Sequence, residues 1–230
     1  MALRAVVFDL DGTLFDHPSA ALAGLRTWLT SLDRTSTPQL EAAWAAAEER
    51  HFRAWREGEI TFAEQRRRRL REVLPLLDLP VGTDDELDTV FDGFLRAYEA
   101  SWAGYDDVAD ALAAVQAGGL RTAVLTNGTT EQQHAKVAAL GLGGRLGPVF
   151  TAEDLGVAKP DPRAFRAVCE QLGLLPSEVL YVGDDHALDV LAARAAGLRA
   201  VHLDRTGTGP AGEVSRIATL RELAAHLRPA

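Results

Sequence analysis

Short, uninterrupted runs of apolar residues recur along the chain, and each one stops at a polar or turn residue. The first run, Ala5–Phe8, ends at Asp9, and later runs of the same form cover residues 120–125, 148–150, 179–182 and 198–203. Apolar runs of this length are typical of strands covered on both faces of a parallel sheet. Helical patterns separate the runs, and this alternation predicts βαβ units. The sequence therefore predicts an α/β fold with a doubly wound parallel sheet.

The segments between these runs have the apolar spacing of amphipathic helices. Phe165, Val168, Cys169 and Leu172 lie at positions i, i+3, i+4 and i+7 of one helical face, so Cys169 is predicted to be a core residue and not a reactive thiol. Helices are also predicted over residues 107–116, 130–140 and 187–196, and a closing amphipathic helix over residues 214–227.

Strand-like runs are absent between residues 16 and 100, where Ala, Leu, Glu and Arg predominate. This composition predicts an all-helical insertion at residues 16–100 in a core formed by residues 1–15 and 101–230. An insertion at this point would lie over the carboxyl ends of the strands, where open α/β sheets bind ligands. The run Arg66–Arg69 is expected to be a solvated helix face, because consecutive helical positions point in all directions and acidic residues surround them.

Composition and charge narrow the class of protein. The 230 residues are 47% hydrophobic and 25% charged, which is typical of a globular protein. The 24 basic and 33 acidic residues give a net charge of −9, which disfavours general affinity for nucleic acid. No apolar run reaches the ~20 residues of a membrane helix. A single cysteine and the absence of a leader pattern favour a cytoplasmic location.

Polar side chains follow the predicted strands at the points where they end. Each has a structural explanation of its own, as a turn, a loop cation or a helix cap. Because the carboxyl ends of parallel strands share one edge of the sheet, we expect these side chains to converge. Clustered carboxylates need a cation, and hard oxygen ligands favour Mg²⁺. The residues concerned are Asp9, Asp11, Gly12, Thr126, Asn127, Lys159, Asp184, Asp185 and Asp189.

In this order, the motifs resemble those of the haloacid dehalogenase-like (HAD) hydrolase superfamily. Asp9–Thr13 is similar to its nucleophile motif, Thr126 to its hydroxyl motif, Lys159 to its lysine motif, and Gly183–Asp185 with Asp189 to its acidic motif. The resemblance implies a Rossmann-like core. It also implies the phosphatase branch with a helical cap inserted between the first and second motifs.

The resemblance implies a role for each of these residues. Asp9 would attack phosphorus and form a covalent aspartyl-phosphate, while Asp11 would protonate the leaving group and then activate water. Mg²⁺ would be held by the Asp9 carboxylate, the Asp11 backbone carbonyl and Asp184, with Asp189 or Asp185 ordering a metal-bound water. The phosphoryl group would be bound by Thr126, Asn127, Lys159 and Gly12.

We therefore expect a Mg²⁺-dependent phosphatase, a monomer or homodimer, with no nucleic-acid or membrane partner. Its substrate is left open among sugar phosphates, phosphoglycolate-like acids and nucleoside monophosphates. A phosphomutase of the sugar-phosphate type is the main alternative, because only the acceptor of the phosphoryl group differs. A haloacid dehalogenase is disfavoured, since the family's dehalogenases lack an acid at the position of Asp11. An inactive phosphate-binding protein and a receiver domain fit the intact motifs, their order and the chain length less well.

Overall fold

The structure is a computed structural model, and it describes residues 2–142 and 144–227. The chain divides into two compact units. One, which we call the core unit, includes the N-terminal residues up to His17 and resumes at Ala103. The other, the helical unit, spans Pro18–Trp102.

The core unit is built on a parallel sheet of six strands. In chain order they are β1 (Ala5–Phe8), β2 (Arg121–Thr126), β3 (Val149–Thr151), β4 (Val179–Gly183), β5 (Arg199–Leu203) and β6 (Arg216–Ile217). The spatial order is β3-β2-β1-β4-β5-β6, and every pairing is parallel. The central strand β1 is buried along its whole length, as its continuous apolar sequence predicts. The predicted doubly wound α/β fold is confirmed.

Helices connect these strands and form the second unit. The α-helices are α1 (His17–Ser31), α2 (Pro38–Arg56), α3 (Phe62–Val73), α4 (Asp84–Glu99), α5 (Val108–Ala117), α6 (Thr130–Ala139), α7 (Ala152–Leu155), α8 (Pro162–Leu172) and α9 (Ala192–Ala195). Short 3₁₀-helices cover Leu74–Leu77, Pro176–Glu178 and Leu220–His226, and a π-helix covers His186–Leu191. No helix in the described part of the chain combines the length and apolar character needed to span a membrane.

The helical unit packs around a cluster of aromatic rings. Trp44 lies with its ring centroid 5.5 Å from that of Trp28 and 4.5 Å from that of Phe94. Threonines cap three of its helices at their N-termini; Thr83, for example, forms a reciprocal capping box with Glu86 at the start of α4. Local capping and aromatic burial therefore account for this all-helical segment.

Two local predictions are wrong. The closing helix expected over residues 214–227 is replaced by strand β6 and a 3₁₀-helix, because Ile217 pairs with Leu203 and completes the sheet beside β5. The run Arg66–Arg69 is not a uniformly solvated face: Arg69 is only 3% exposed, whereas Arg68 is exposed and pairs with Glu64. Cys169, in contrast, lies in the core as predicted, and burial raises its pKa to about 11.

Candidate active site

The loop after β1 places Asp9 and Asp11 at the carboxyl end of the sheet. The Asp9 amide donates to the carbonyl of Val182 on β4 at 2.8 Å, which continues the strand pairing by one residue. Gly12 has a φ of +89°, and a Cβ atom there would collide with the carboxylate of Asp184. Both the backbone conformation and the close approach therefore require glycine at this position.

Arg205 stabilises the loop after β1 through hydrogen bonds to its backbone. Its guanidinium donates to the carbonyls of Gly12 and Thr13 at 3.3 and 2.9 Å, and it pairs with the buried carboxylate of Asp107 at 2.9 Å. Asp107 also accepts hydrogen bonds from the Thr219 hydroxyl and the Leu220 amide. This buried ion pair therefore connects the loop after β1 to the start of the 3₁₀-helix Leu220–His226.

Lys159 lies at the centre of a buried polar network. Its Nζ donates to Asp9 Oδ1 at 2.6 Å, to Asp189 Oδ1 at 2.7 Å and to the Tyr181 hydroxyl at 3.0 Å. Burial by itself lowers the pKa of Lys159, but the charges of Asp189 and Asp9 outweigh it and hold that pKa well above its usual value. The ammonium group thus stays charged at neutral pH.

Three carboxylates meet beside this lysine. Asp9, Asp184 and Asp189 each offer an oxygen, and these oxygens lie within 4.8 Å of one another. Burial raises the pKa of Asp9 well above its usual range, and burial together with the charge of Asp189 raises that of Asp184 to about 7. Asp9 Oδ2 is buried and has no hydrogen-bond partner among the described residues. This donor set fits a hard divalent cation such as Mg²⁺.

Neighbouring residues fix the orientation of these acids. His202 Nε2 donates to the Asp184 backbone carbonyl at 3.0 Å, and the Asp185 amide donates to Asp189 Oδ2 at 3.1 Å. The Asp185 carboxylate itself accepts from the amides of Ala187 and Leu188 and caps the π-helix. The structure thus places Asp189 in the acidic cluster and uses the Asp185 side chain as a helix cap.

Asp11 is held apart from that cluster by two residues of α6. Lys136 Nζ donates to Asp11 Oδ1 at 2.5 Å, and Gln133 Nε2 donates to Asp11 Oδ2 at 2.8 Å. The same Gln133 nitrogen donates to Thr126 Oγ1 at 2.5 Å. Burial raises the pKa of Asp11, but the charge of Lys136 and these hydrogen bonds outweigh it, so the pKa lies below its usual value.

The side chain of Asn127 contacts the backbone of Lys159. Its side chain donates to the backbone carbonyl of Lys159 at 2.9 Å and accepts from the Lys159 amide at 2.8 Å. This reciprocal pair connects the loop after β2 to the loop that carries Lys159. The Asn127 side chain therefore positions the lysine loop, which leaves its backbone amide for any contact with a ligand.

Sequence reasoning missed several residues of this site, namely Gln133, Lys136, Tyr181, His202 and Arg205. One signal was available for Lys136, because it is one of only two lysines in a chain rich in arginine. The same scarcity applies to Lys159, the other lysine. Tyr181 and His202 lie within apolar strands, and nothing in the local sequence separates them from ordinary core residues.

Comparisons with known proteins identify the family of the chain. The family model for haloacid dehalogenase-like hydrolases matches residues 3–197. A phosphoserine phosphatase from Thermus thermophilus is 36% identical over 196 residues, which cover 83% of this chain and 70% of that protein. The (S)-2-haloacid dehalogenase 4A from Burkholderia cepacia is 31% identical over 216 residues, which cover 91% of this chain and 86% of that protein.

A solved structure shows the same fold. The HAD-hydrolase YfnB from Bacillus subtilis, crystallised with bound magnesium, matches this chain with a TM-score of 0.83 and 22% identity, and the match covers both chains completely. The family match extends over most of the chain, and the relatives include both a phosphatase and a dehalogenase. From its sequence and its fold, the chain belongs to the haloacid dehalogenase-like hydrolases.

Proposed function

We propose that this hydrolase is a Mg²⁺-dependent phosphatase that cleaves a small phosphate monoester through an aspartyl-phosphate on Asp9. The observation that carries the proposal is the carboxyl group of Asp11, two residues from Asp9 and held by Lys136 and Gln133. Phosphoryl transfer to water needs a group that protonates the leaving oxygen and later activates water. Displacement of a halide needs no proton for its leaving group.

Asp9 has the environment of a nucleophile. Lys159 holds its Oδ1, while Oδ2 has no hydrogen-bond partner among the described residues, so the carboxylate keeps an oxygen for contact with the metal ion or with phosphorus. Mg²⁺, held by the Asp9 and Asp184 carboxylates and the Asp11 carbonyl with Asp189 nearby, would offset the repulsion between the carboxylate and a phosphate dianion. Lys159 adds a fixed positive charge beside the Asp9 carboxylate.

Asp11 would serve in both halves of the reaction. As a carboxylate it can take a proton from the water that cleaves the aspartyl-phosphate, and Lys136 favours this ionised form. To protonate the leaving group, Asp11 must carry a proton, which weakens its contact with Lys136. We propose that Lys136 and Gln133 return the side chain to one position between the two steps.

The phosphoryl oxygens would be bound at the ends of β1 and β2. Thr126 Oγ1 accepts from Gln133, so its own hydrogen is available to donate to a phosphoryl oxygen. The Asn127 backbone amide, the Lys159 ammonium and the loop at Gly12 would supply further contacts. Asn127 would help to orient Lys159 toward the phosphoryl group, because its side chain hydrogen-bonds the Lys159 backbone.

The substrate is best sought first among phosphorylated carboxylic acids. The phosphoserine phosphatase relative is named for a substrate that carries a carboxylate beside its phosphate. Phosphoglycolate-like acids share this chemistry, and sugar phosphates and nucleoside monophosphates complete the panel. We further propose that residues 16–100 serve as the cap that selects the substrate, and that the enzyme acts in the cytoplasm as a monomer or homodimer.

Dehalogenase activity is the second candidate, because the dehalogenase relative covers 91% of this chain. A phosphomutase remains the alternative in which a substrate hydroxyl replaces water. The test measures p-nitrophenol release from p-nitrophenyl phosphate with Mg²⁺ and with EDTA, and chloride release from (S)-2-chloropropionate. Metal-dependent phosphatase activity that is absent in Asp9→Asn supports the proposal. Halide release without phosphatase activity contradicts it.

A further inference from the structure

A guanidinium group is buried inside the helical unit with one edge unpaired. Arg69 on α3 is 3% exposed, and its Nη1 pairs with Glu48 Oε1 at 3.0 Å. Its Nε and Nη2 are buried and have no hydrogen-bond acceptor among the described residues. Buried polar groups in native proteins almost always have a partner, so two orphaned donors on one charged group indicate an acceptor from outside the chain.

The orphaned atoms belong to the same edge of the guanidinium. Nε–H and the adjacent Nη2–H point in parallel, which is the fork that binds both oxygens of a carboxylate. The Glu48 contact uses the other terminal nitrogen and leaves this fork unpaired. A planar oxyanion with two oxygens is therefore the partner that the edge matches in shape and charge.

Aromatic rings surround this guanidinium. Arg69 Cζ lies 4.4 Å from the centroid of the Trp44 ring, 5.4 Å from that of Phe91 and 5.6 Å from that of Phe94. The indole Nε1 of Trp44 is a further buried donor without an acceptor among the described residues. Apolar walls around a buried donor edge favour an organic acid over a strongly hydrated inorganic ion.

Two further observations concern the surroundings of Arg69 on α3 and its charge. Gln65, one turn before Arg69 on α3, is 2% exposed, and its Oε1 is a buried acceptor with no donor among the described residues. Burial lowers the pKa of Arg69, and the charge of Glu48 offsets only part of this effect. A second negative charge at the unpaired edge would stabilise the guanidinium further.

We propose that the Nε/Nη2 edge of Arg69, between α2, α3 and α4, is a binding site for a small organic carboxylate. The site lies wholly within the helical unit and uses none of the residues assigned to phosphoryl transfer. It therefore stands independently of the proposed phosphatase activity, and it is tested without metal or phosphate.

The experiment follows the side-chain Nε–Hε signal of Arg69 by NMR in the ¹⁵N-labelled full chain during titration with sodium glycolate. Sodium chloride at the same ionic strength is the control, and Arg69→Lys identifies the signal by its loss. We expect a saturable shift of the Arg69 signal with glycolate and none with chloride. A signal that does not respond to glycolate would overturn the proposal and assign the edge to bound water.

Thermal unfolding gives a second readout with matched variants. Glycolate should raise the Tm of the wild type and of Arg68→Met, whose guanidinium lies exposed on the same helix. It should not raise the Tm of Arg69→Met. Arg69→Lys keeps the positive charge but loses the fork, and we expect it to weaken glycolate binding at least about tenfold. An equal rise in Tm in both Arg69 variants would place the carboxylate elsewhere and overturn the proposal.

Discussion

Lys136 donates to Asp11 Oδ1 at 2.5 Å from a position 125 residues later in the chain. Its ammonium lies 4.9 Å from the centroid of the Phe15 ring and is almost completely buried. Gln133, one turn earlier on α6, bridges Asp11 and Thr126. One helix face therefore positions both the group assigned to proton transfer and the hydroxyl assigned to phosphate binding.

This contact makes Lys136→Met a test of how Asp11 is positioned. Without the ammonium, the Asp11 carboxyl loses one of the two contacts that orient it, and we expect turnover of an alkyl phosphate to fall about 10- to 100-fold. Turnover of p-nitrophenyl phosphate should fall less, because its leaving group needs less protonation. The matched control is His134→Ala, an exposed position on the same helix. Equal losses with both substrates would contradict a role through Asp11.

Asp9→Asn should abolish turnover, since an amide cannot form the acyl phosphate. The measurement is substrate turnover together with a mass spectrum of acid-quenched enzyme, which should show a phosphorylated wild type and an unmodified variant. Asp185→Asn makes the same chemical change in a helix cap, where asparagine caps as well as aspartate. That variant should keep its rate and its phosphoenzyme. Phosphorylation of Asp9→Asn would assign the nucleophile to another residue.

Lys159→Met should destabilise the fold as well as remove activity. It leaves Asp9 and Asp189 buried without their shared cation, and breaking a buried ion pair from one side costs about 3–5 kcal/mol. Urea unfolding at pH 7 measures the loss. Adding Asp189→Asn to this variant removes one uncompensated carboxylate and should recover part of the stability. A double variant less stable than Lys159→Met would contradict this account.

The site residues that could be predicted from the sequence are mostly those at the ends of strands. Asp9, Thr126 and Asp184 each follow a buried strand, and parallel pairing brings such positions to one edge whatever the loops do. Lys136 could not be placed in this way, because the face that a helix turns toward a site depends on its tertiary packing. The sequence likewise could not show which of Asp185 and Asp189 lies in the acidic cluster.

In the structure, Asp185 caps the π-helix at His186–Leu191 and Asp189 lies within it, and π-helices are too rare to be expected from a sequence pattern. The burial of Arg69 in the helical unit could not be predicted from the sequence either. Four consecutive arginines must point in different directions, but only the packing of α3 against the aromatic cluster determines which one is buried.

The Asp107–Arg205 pair predicts a pH dependence of stability. Burial raises the pKa of Asp107, but hydrogen bonds from Arg205, Thr219 and Leu220 outweigh it and lower that pKa to about 2, from a usual value of 3.8. The folded state therefore gains stability from this carboxylate above about pH 4, and it loses that gain as the pH falls toward 2. A shift of this size corresponds to about 2 kcal/mol.

Asp107→Asn should therefore lower the free energy of unfolding by about 2 kcal/mol at pH 7 and by much less near pH 2.5. Urea unfolding at both pH values measures the difference. Asp106→Asn is the matched control, because the neighbouring Asp106 side chain is 85% exposed and an exposed ion pair contributes little. A loss for Asp107→Asn that is equal at both pH values would show that the carboxylate acts through its shape and not through its charge. Arg205 also donates to the carbonyls of Gly12 and Thr13. Because Asp107→Asn weakens the ion pair that positions Arg205, the loop after β1 should be held less firmly and turnover at pH 7 should fall.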